Sequence, residues 1–513
     1  MADQSFFSLI ANRSGSWRQR CLLETETGQS YLYGDLEERT ARLAGYLTAL
    51  GLKTGDRVAA QIDKSPEALF LYLACLRAGL VYVPINPACR EGEVEHVIAD
   101  CAPSVVVAAG RLQAMVGPVC QRHGVQQVLT LDADGGGSLM DGAASRAADF
   151  ATIPCAGDDL ACLVYSSGTT GRPKGAMVTH RNLAANGLAL VEHWGFGDGD
   201  VLLHALPLFH VHGLFVACHC VLLSGARMLW LDRFDRAKVI DALGRVTVMM
   251  GVPTYYTRLL AGDDFTAGHC SGLRLAISGS APLAPETFDE FRARTGHAIL
   301  ERYGMTETGM NTSNPVVGVR ISGTVGPALA GVSLRVTGEG GEVLGPNRVG
   351  MLEVKGDNVF KGYWRQPGLT AQAFTADGYF RTGDLAEIDA AGVVTITGRA
   401  VDMIITGGLN VYPKEIEDAI GAMDGIKECA AVGVPHTDFG EAIIVAAVTD
   451  GGECGEDEVI EMCKDRLANY KVPKRVLFVD ELPRNVMGKI QKAELRRRFA
   501  TVLAQPSAKQ TSA

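Results

Sequence analysis

Apolar and polar positions along the first half of the chain follow two periods in turn. Leu36, Leu43, Leu47 and Leu50 recur along one helical face, with Asp35 and Glu38 spaced as a capping box and Gly51 able to end the helix. Ser65 and Pro66 open a second helix that runs to Arg77 and stops at Gly79. Residues 105–107 form a short β-branched run, and strand-like runs recur at 246–250 and 273–277, each ending in a polar or Gly-rich turn. This alternation predicts α/β layering with mostly parallel strands, and sites in such folds gather where the strands end. The long apolar stretch 213–231 is broken by His219, Ser224 and Arg227, so it reads as a buried element and not a bilayer span.

The pattern changes near residue 399. Beyond it, the spacing predicts a helix over 414–422, strands over 429–434 and 443–448, a helix over 457–469 and a last strand over 476–479. The expected organisation is a large N-terminal α/β domain of layered sheets and helices over 1–398, a small C-terminal α+β domain over 399–500, and a disordered tail over 501–513. Residues 131–158, rich in Gly, Ala and Asp, read as loop.

Composition narrows the function classes. A length of 513 residues calls for two or more domains, and the 47% hydrophobic and 7% aromatic content is that of a globular protein. A formal net charge of −10 opposes a broad nucleic-acid or anionic-membrane surface, so small-molecule partners are expected, with no nucleic acid and no membrane. Thirteen cysteines without a repeated Cys-x-x-Cys spacing suit reduced thiols, and the N-terminus shows no secretory signal; a cytoplasmic location is expected.

The most informative segment is YSSGTTGRPKG at 165–175, lying between apolar runs at 161–164 and 176–178. Gly168, Gly171 and Gly175 let the backbone turn with its N–H groups free, and Ser166, Ser167, Thr169, Thr170 and Lys174 add donors. The natural guest of such a loop is a polyphosphate; the competing reading is a flexible surface hairpin. It is not a Walker A sequence, because Lys174 follows Pro173 and precedes Gly175.

This loop resembles the phosphate-binding signature of the adenylate-forming superfamily, which includes acyl-CoA synthetases, peptide-synthetase adenylation domains and luciferases. Five further stretches match in order: YGMTE at 303–307, TGD at 382–384, Gly398-Arg399 with Asp402, GGLNVYP at 407–413, and PRNVMGK at 483–489. Two more, HALPLFHVHGLF at 204–215 and LERYGMTETGMNTSNP at 300–315, resemble the malonate–CoA ligases (malonyl-CoA synthetases) within it.

The resemblance implies ATP-dependent ligation of an acid to coenzyme A through an acyl-adenylate, with AMP and pyrophosphate released. It assigns the 166–171 segment and Lys174 to the ATP phosphates, Tyr303 to adenine, Thr306 to the α-phosphate and Glu307 to Mg²⁺, which favours oxygen ligands. Asp384, with Arg399, suits the ribose hydroxyls, and Lys489 is the expected catalytic cation bridging the substrate carboxylate and α-phosphate. Gly407, Gly408 and Leu409 are expected to line the path of the CoA thiol, on a C-terminal domain made mobile by a hinge at Asp402. Read without the resemblance, Asp402 is equally a solvated loop acid, Tyr303 a core aromatic and Glu307 an exposed acid.

Malonate keeps a second carboxylate after the first is activated, and burying it unpaired is costly. Arg302 stands where many relatives with apolar substrates have a small residue, so it is the expected partner of that carboxylate; the competing reading is a surface salt bridge. Ser278 is an added donor, and His210, Gly279 and Met305 complete the expected acyl pocket, with His210 also placed at the chemistry. The cluster His204, His210, His212, Cys218, His219 and Cys220 does not have structural-zinc spacing. Nothing in the sequence separates malonate from methylmalonate. The rival readings are a short-chain or aromatic acyl-CoA ligase with Arg302 outside the pocket, and a noncatalytic nucleotide-binding protein.

Overall fold

A computed structural model describes residues 3–166, 173–406, 409–436, 439–451, 454–485 and 488–503, with Ser166 and Asn410 described in their backbone alone. The chain divides into two compact units. The first comprises Met1–Ser280, Thr287–Leu334 and Val354–Phe380; the second comprises Ala281–Glu286, Arg335–Glu353 and Arg381–Ala513.

The first unit is built on two sheets. One runs, in spatial order, Gln127–Thr130, Val105–Ala108, Arg57–Gln61, Val81–Pro84, Leu160–Ser166 and Lys174–Thr179. Its strands are parallel except for the last pair, which is an antiparallel hairpin whose connection is the glycine-rich loop. Val81, Val83, Val106, Val116 and Leu163 pack with their neighbours into one buried cluster. The other sheet runs Gly309–Ser313, Leu300–Met305, Leu275–Ser278, Val248–Gly251, Val201–His204, Arg227–Trp230, Cys21–Thr25 and Ser30–Leu32. Its middle is parallel and each edge ends in an antiparallel pair. Strands such as Val248–Gly251 and Leu275–Ser278 are buried along their whole length, which explains their unbroken apolar runs.

The second unit centres on a sheet ordered Leu409–Val411, Ile404–Thr406, Gly440–Thr449 and Ile426–His436, with Arg475–Phe478 parallel to Gly440–Thr449. Alternate residues of the two long strands feed two clusters: Ala431, Ile443 and Val445 lie in one with Ile416 and Val459, and Ala430, Val432 and Ile444 in the other with Leu495. A further sheet orders Val332–Thr337, Gly350–Gly356, Phe380–Ile388 and Val394–Arg399.

Several expectations need correcting. The first of the two predicted helices is Tyr33–Ala49 with Leu32 as its N-cap residue, so Asp35 is not its cap but its third residue, accepting from Leu32 N at 2.7 Å. The second, Pro66–Arg77, is as expected, with the Ser65 hydroxyl accepting from Ala68 N at 3.1 Å. Residues 131–158 are not all loop: Ser138–Ala144 is helical because Leu139 and Ala143 find buried positions. The helix expected over 457–469 is Glu456–Arg466, with a separate turn at Asn469–Lys471. Residues 501–503 of the expected tail form a turn in which Val502 and Leu503 pack against the Leu495 cluster; residues 504–513 lie outside the described residues. No helix among the described residues is long and apolar enough to cross a membrane.

His180 opens the helix His180–Trp194 and ties it to the N-terminal helix by accepting from Phe6 N at 3.2 Å on Nδ1. Burial pushes its pKa down to about 4, with Asp159 and Asp3 opposing. The folded state therefore resists a proton that the unfolded chain accepts near its ordinary 6.5. The His180 contribution is present above that value and is lost as pH falls toward 4. Its full size is roughly 3 kcal/mol. Asn at 180 offers an acceptor near the Nδ1 position without the titration. Denaturant unfolding should show a shallower loss of stability for His180→Asn than for wild type between pH 6.5 and 4; identical slopes would contradict this assignment.

Candidate active site

Arg302 lies on the strand Leu300–Met305 and is only 4% exposed. Its Nε and Nη2 have no hydrogen-bond partner, and the groups that oppose its loss of charge are Tyr256 and Cys220, neither of them a carboxylate. Burial pushes the guanidinium pKa down to about 9, with Tyr256 and Cys220 opposing, so it remains a cation at neutral pH. The neighbouring strand Leu275–Ser278 runs parallel, with Ile277 and Ser278 opposite Leu300 and Glu301. Ser278 is buried and its Oγ is likewise unpartnered. Gly279 follows it and packs against the guanidinium, so that a Cβ at this position would push on the end of the Arg302 side chain.

Two histidines complete this pocket. His212 N donates to Nδ1 of His210 at 3.2 Å, and Nδ1 of His212 lies 3.2 Å from the Ser280 hydroxyl. Ser280 sits at φ 74°, a left-handed conformation unusual for a residue with a Cβ. The Nε2 of His212 is buried without a partner. Burial and the Arg302 charge hold His210 down to about 4 and His212 well below its ordinary value, so both rings are neutral. The Arg302 cation and the His212 ring thus keep unsatisfied buried nitrogens, and the rings of His210 and His212 lie within the field of Arg302, whereas Ser278, the expected added donor, pairs with Glu301 and so faces the opposite side of the sheet. Such unsatisfied nitrogens are costly unless an anion meets them.

Glu307 follows on the turn between Leu300–Met305 and Gly309–Ser313. It is buried, and Tyr363 OH donates to its Oε1 at 3.2 Å. Thr306 and Glu307 line a cavity with Asn182, Asn186, His219 and Asn358. These asparagines were missed in the sequence; Asn186 and Asn358 hold the turn, while Asn182 donates to the carbonyls of Asp357 and Val359. Asn186 exchanges two bonds with the Met310 backbone, at 2.9 and 3.1 Å, and Asn358 donates to Thr308 O at 2.8 Å. The readable signal was two polar residues, Asn182 and Asn186, four apart on the buried face of one helix. Tyr303 OH lies 3.9 Å from Met305 Sδ, and Met305 packs against the Ala176, Phe360 and Phe380 cluster.

The phosphate-loop residues Ser167, Gly168, Thr169, Thr170 and Gly171 lie outside the described residues, as do Gly407 and Gly408. The ends of the loop are described. Tyr165 OH donates to Asp100 at 2.5 Å, and His96 Nε2 meets Pro173 O at 2.8 Å, so one helix, Glu91–Cys101, holds both ends. Lys174 Nζ stands 5.7 Å from the Tyr363 ring centroid.

In the second unit, Asp384 and Arg399 face each other across an antiparallel pair, with Nε 3.0 Å from Oδ1. Asp402 receives Arg496 Nη2 at 2.7 Å, so it is ion-paired and not merely a solvated acid. Lys489 belongs to a tight turn in which its N–H donates to Asn485 Oδ1 at 2.9 Å and Gly488 adopts φ 74°. Burial and the nearby Arg399 and Lys492 hold the Lys489 pKa below its ordinary value, with Asp384 and Asp402 opposing. An ammonium so placed gains from an arriving anion. Leu409 is exposed at the start of the strand Leu409–Val411.

The remaining His and Cys residues are used in packing. His219 Nε2 is 2.9 Å from Tyr72 OH, and Cys218 Sγ is 3.3 Å from His204 Nε2. No group of three or more His, Cys, Asp or Glu among the described residues could hold a metal ion.

Residues 12–364 match the family described as AMP-binding enzyme, and residues 415–489 match the AMP-binding enzyme C-terminal domain. The crystal structure of ATP-bound MatB from Rhodopseudomonas palustris superposes with a TM-score of 0.96 at 50% identity, covering 98% of this chain and 99% of that one. The chain is 36% identical over 483 residues to a feruloyl-CoA synthase from Amycolatopsis sp, covering 92% of this chain and 94% of the relative. It is also 36% identical over 508 residues to the mitochondrial malonate–CoA ligase ACSF3 of Mus musculus, covering 91% and 86%.

The packing at residue 279 gives a direct check. Gly279→Ala should cost about 1–3 kcal/mol in chemical denaturation, because the guanidinium must give way inside a closed site. A variant as stable as wild type would show that the Arg302 side chain has room that the geometry denies it.

Proposed function

The chain belongs to the AMP-binding enzyme family, and on that premise we propose that it is a malonate–CoA ligase, converting malonate, ATP and CoA to malonyl-CoA, AMP and pyrophosphate. The observation that carries the choice of acid is the buried Arg302 with two unpartnered nitrogens, in the field of His212, whose buried Nε2 also lacks a partner. An acid with an apolar tail would leave that charge unpaired; a second carboxylate satisfies it with charge-assisted bonds. The malonate–CoA ligase relative supports the same reading, while the feruloyl-CoA synthase relative lends itself to the aromatic alternative.

In this reading one malonate carboxylate is held by Arg302 and the other is activated. Its oxygen attacks the α-phosphorus of ATP, the bond to pyrophosphate breaks, and malonyl-adenylate forms. The thiol sulfur of CoA then attacks the acyl carbon, a proton leaves the sulfur, and AMP departs. Lys489 stabilises negative charge between the carboxylate and the α-phosphate, and Thr306 contacts that phosphate. Tyr303 stacks on adenine, and Asp384 and Arg399 take the ribose. Ser166, Ser167, Gly168, Thr169, Thr170, Gly171 and Lys174 hold the outer phosphates. His210 walls the acyl group beside Arg302.

Mg²⁺ fits Glu307: a buried carboxylate is a hard oxygen donor, and its Oε1 is steadied by Tyr363. The ion would neutralise phosphate charge, with water and phosphate oxygens completing its shell. Residues 399–500 are proposed to reorient about Asp402, presenting Lys489 for adenylation and then Gly407, Gly408 and Leu409 to the thiol. Both segments lie in the same unit, which supports a single movement. Thirteen unpaired cysteines support a cytoplasmic location.

Arg302→Met keeps length and apolar bulk but removes the cation. It should lower kcat/KM for malonate by at least about a hundredfold while changing the KM for ATP little. Equal losses for malonate and propionate would remove Arg302 from this role. Lys489→Ala should slow malonate-dependent pyrophosphate release by about 100- to 1,000-fold and spare thioester formation from supplied malonyl-adenylate. Equal loss of both half-reactions would contradict the proposed alternation.

A further inference from the structure

Lys64 is a buried amine that the chemistry above leaves unused, its pKa pushed down to about 7 by burial. It stands just before the helix Pro66–Arg77, where a lysine in sequence reads as solvated. Its side chain instead reaches the C-terminal ends of two adjacent parallel strands, Val201–His204 and Arg227–Trp230. Nζ donates to the carbonyls of His204 at 2.8 Å and Leu231 at 2.6 Å, and lies 2.9 Å from Nδ1 of His204. It also sits over the Trp230 ring, 4.3 Å from the centroid. No carboxylate among the described residues is within ion-pair distance; Asp232, Glu26 and the Cys218 thiol are the acidic groups whose field it feels. The residue retains some exposed surface, but its ammonium end is enclosed by His204 and Trp230, both fully buried.

These contacts have a consequence for His204. The Gly213 carbonyl can only accept, so the ring proton resides on Nε2, and Nδ1 is left to accept an N–H of Lys64. That Nε2 then donates to Gly213 O at 3.0 Å. Burial and the Lys64 charge hold the His204 pKa well below its ordinary value, which keeps this ring neutral and singly protonated. His204 also stacks on Trp230 with centroids 4.8 Å apart, so the ring cannot turn freely.

Gly213 lies in the π-helical turn His212–Ala217. Single π turns widen the backbone ladder and occur mostly at functional sites. This one carries His212, whose unpartnered Nε2 belongs to the Arg302 pocket, and Leu214 N ties it back to His210 O at 3.0 Å. The chain of donors thus runs from Lys64 through His204 to the backbone that presents both pocket histidines.

We propose that Lys64 is a positioning residue for substrate selection: through the His204 tautomer it anchors the Gly213 carbonyl and so fixes His212 to donate to the distal carboxylate of the acid. This rests on the malonate reading of the site. The polar contacts of the Lys64 ammonium end are to His204 and Leu231, so in this proposal it acts through His204.

The test uses the full-length protein and compares kcat/KM for malonate and propionate in wild type, Lys64→Met, His204→Phe and the double variant. Each single change should lower the malonate-to-propionate ratio by about tenfold, the worth of one charge-assisted hydrogen bond, with the KM for ATP within about twofold of wild type. The double variant should lose no more than the larger single loss, because both act on one chain of contacts. An unchanged ratio, or losses that multiply, would overturn the inference. A wild type that does not use malonate would instead sink the malonate reading. If a variant does not fold, the wild type decides the matter. Long-range proton–nitrogen spectra of histidine-labelled protein, with His204 assigned through its contact to Trp230, should show a neutral ring protonated on Nε2. A ring protonated on Nδ1, or on both nitrogens, would overturn the relay.

Discussion

The account depends on a guanidinium buried without a counter-ion. Arg302 lies on its strand against Gly279, just past the end of the adjacent strand, in the field of a pair of histidines, and two of its nitrogens have no partner. A protein interior tolerates such an arrangement only when something of opposite charge belongs there during function, since removing a cation from water costs several kcal/mol that nothing else at the site repays. In the proposed reading the cost falls on the free protein and is relieved when a second anionic group binds.

The surroundings are arranged to keep that charge single. His210 and His212 are both held neutral by burial and by Arg302 itself, so the pocket offers one positive charge with neutral donors around it. Parallel strands ending at Ser278 and His204 supply the rigid floor, and the Ser280 backbone supplies the local strain. The turn carrying Thr306 and Glu307 is fixed separately, by Asn186 and Asn358 bonding its backbone. The Arg302 surroundings and the Thr306–Glu307 turn therefore rest on adjacent segments with independent supports.

The layered α/β architecture, the Ser65-capped helix and the α+β character of the C-terminal segment were legible because they follow from apolar periodicity and Gly/Pro punctuation. The turn from Tyr303 to Glu307 and the Lys489 loop were legible only through motif resemblance; periodicity assigns them nothing. Asp35 was misplaced because the N-cap residue is Leu32, where the side chain of the helix's third residue rather than a polar cap satisfies the first amide. The helix Ser138–Ala144 was hidden in a Gly-rich stretch, since its two buried apolar residues are too few to make a pattern. Lys64, Asn186 and Asn358 were invisible because their roles are long-range: each bonds backbone far along the chain, and no local spacing records that.

The central claim concerns the acid, and wild-type selectivity tests it most directly. Purified protein supplied with ATP, Mg²⁺ and CoA should form AMP from malonate with a kcat/KM at least about a hundredfold above those for acetate, propionate and ferulate, because only the diacid pairs Arg302. Equal or greater efficiency with any acid lacking a second anionic group would contradict the account.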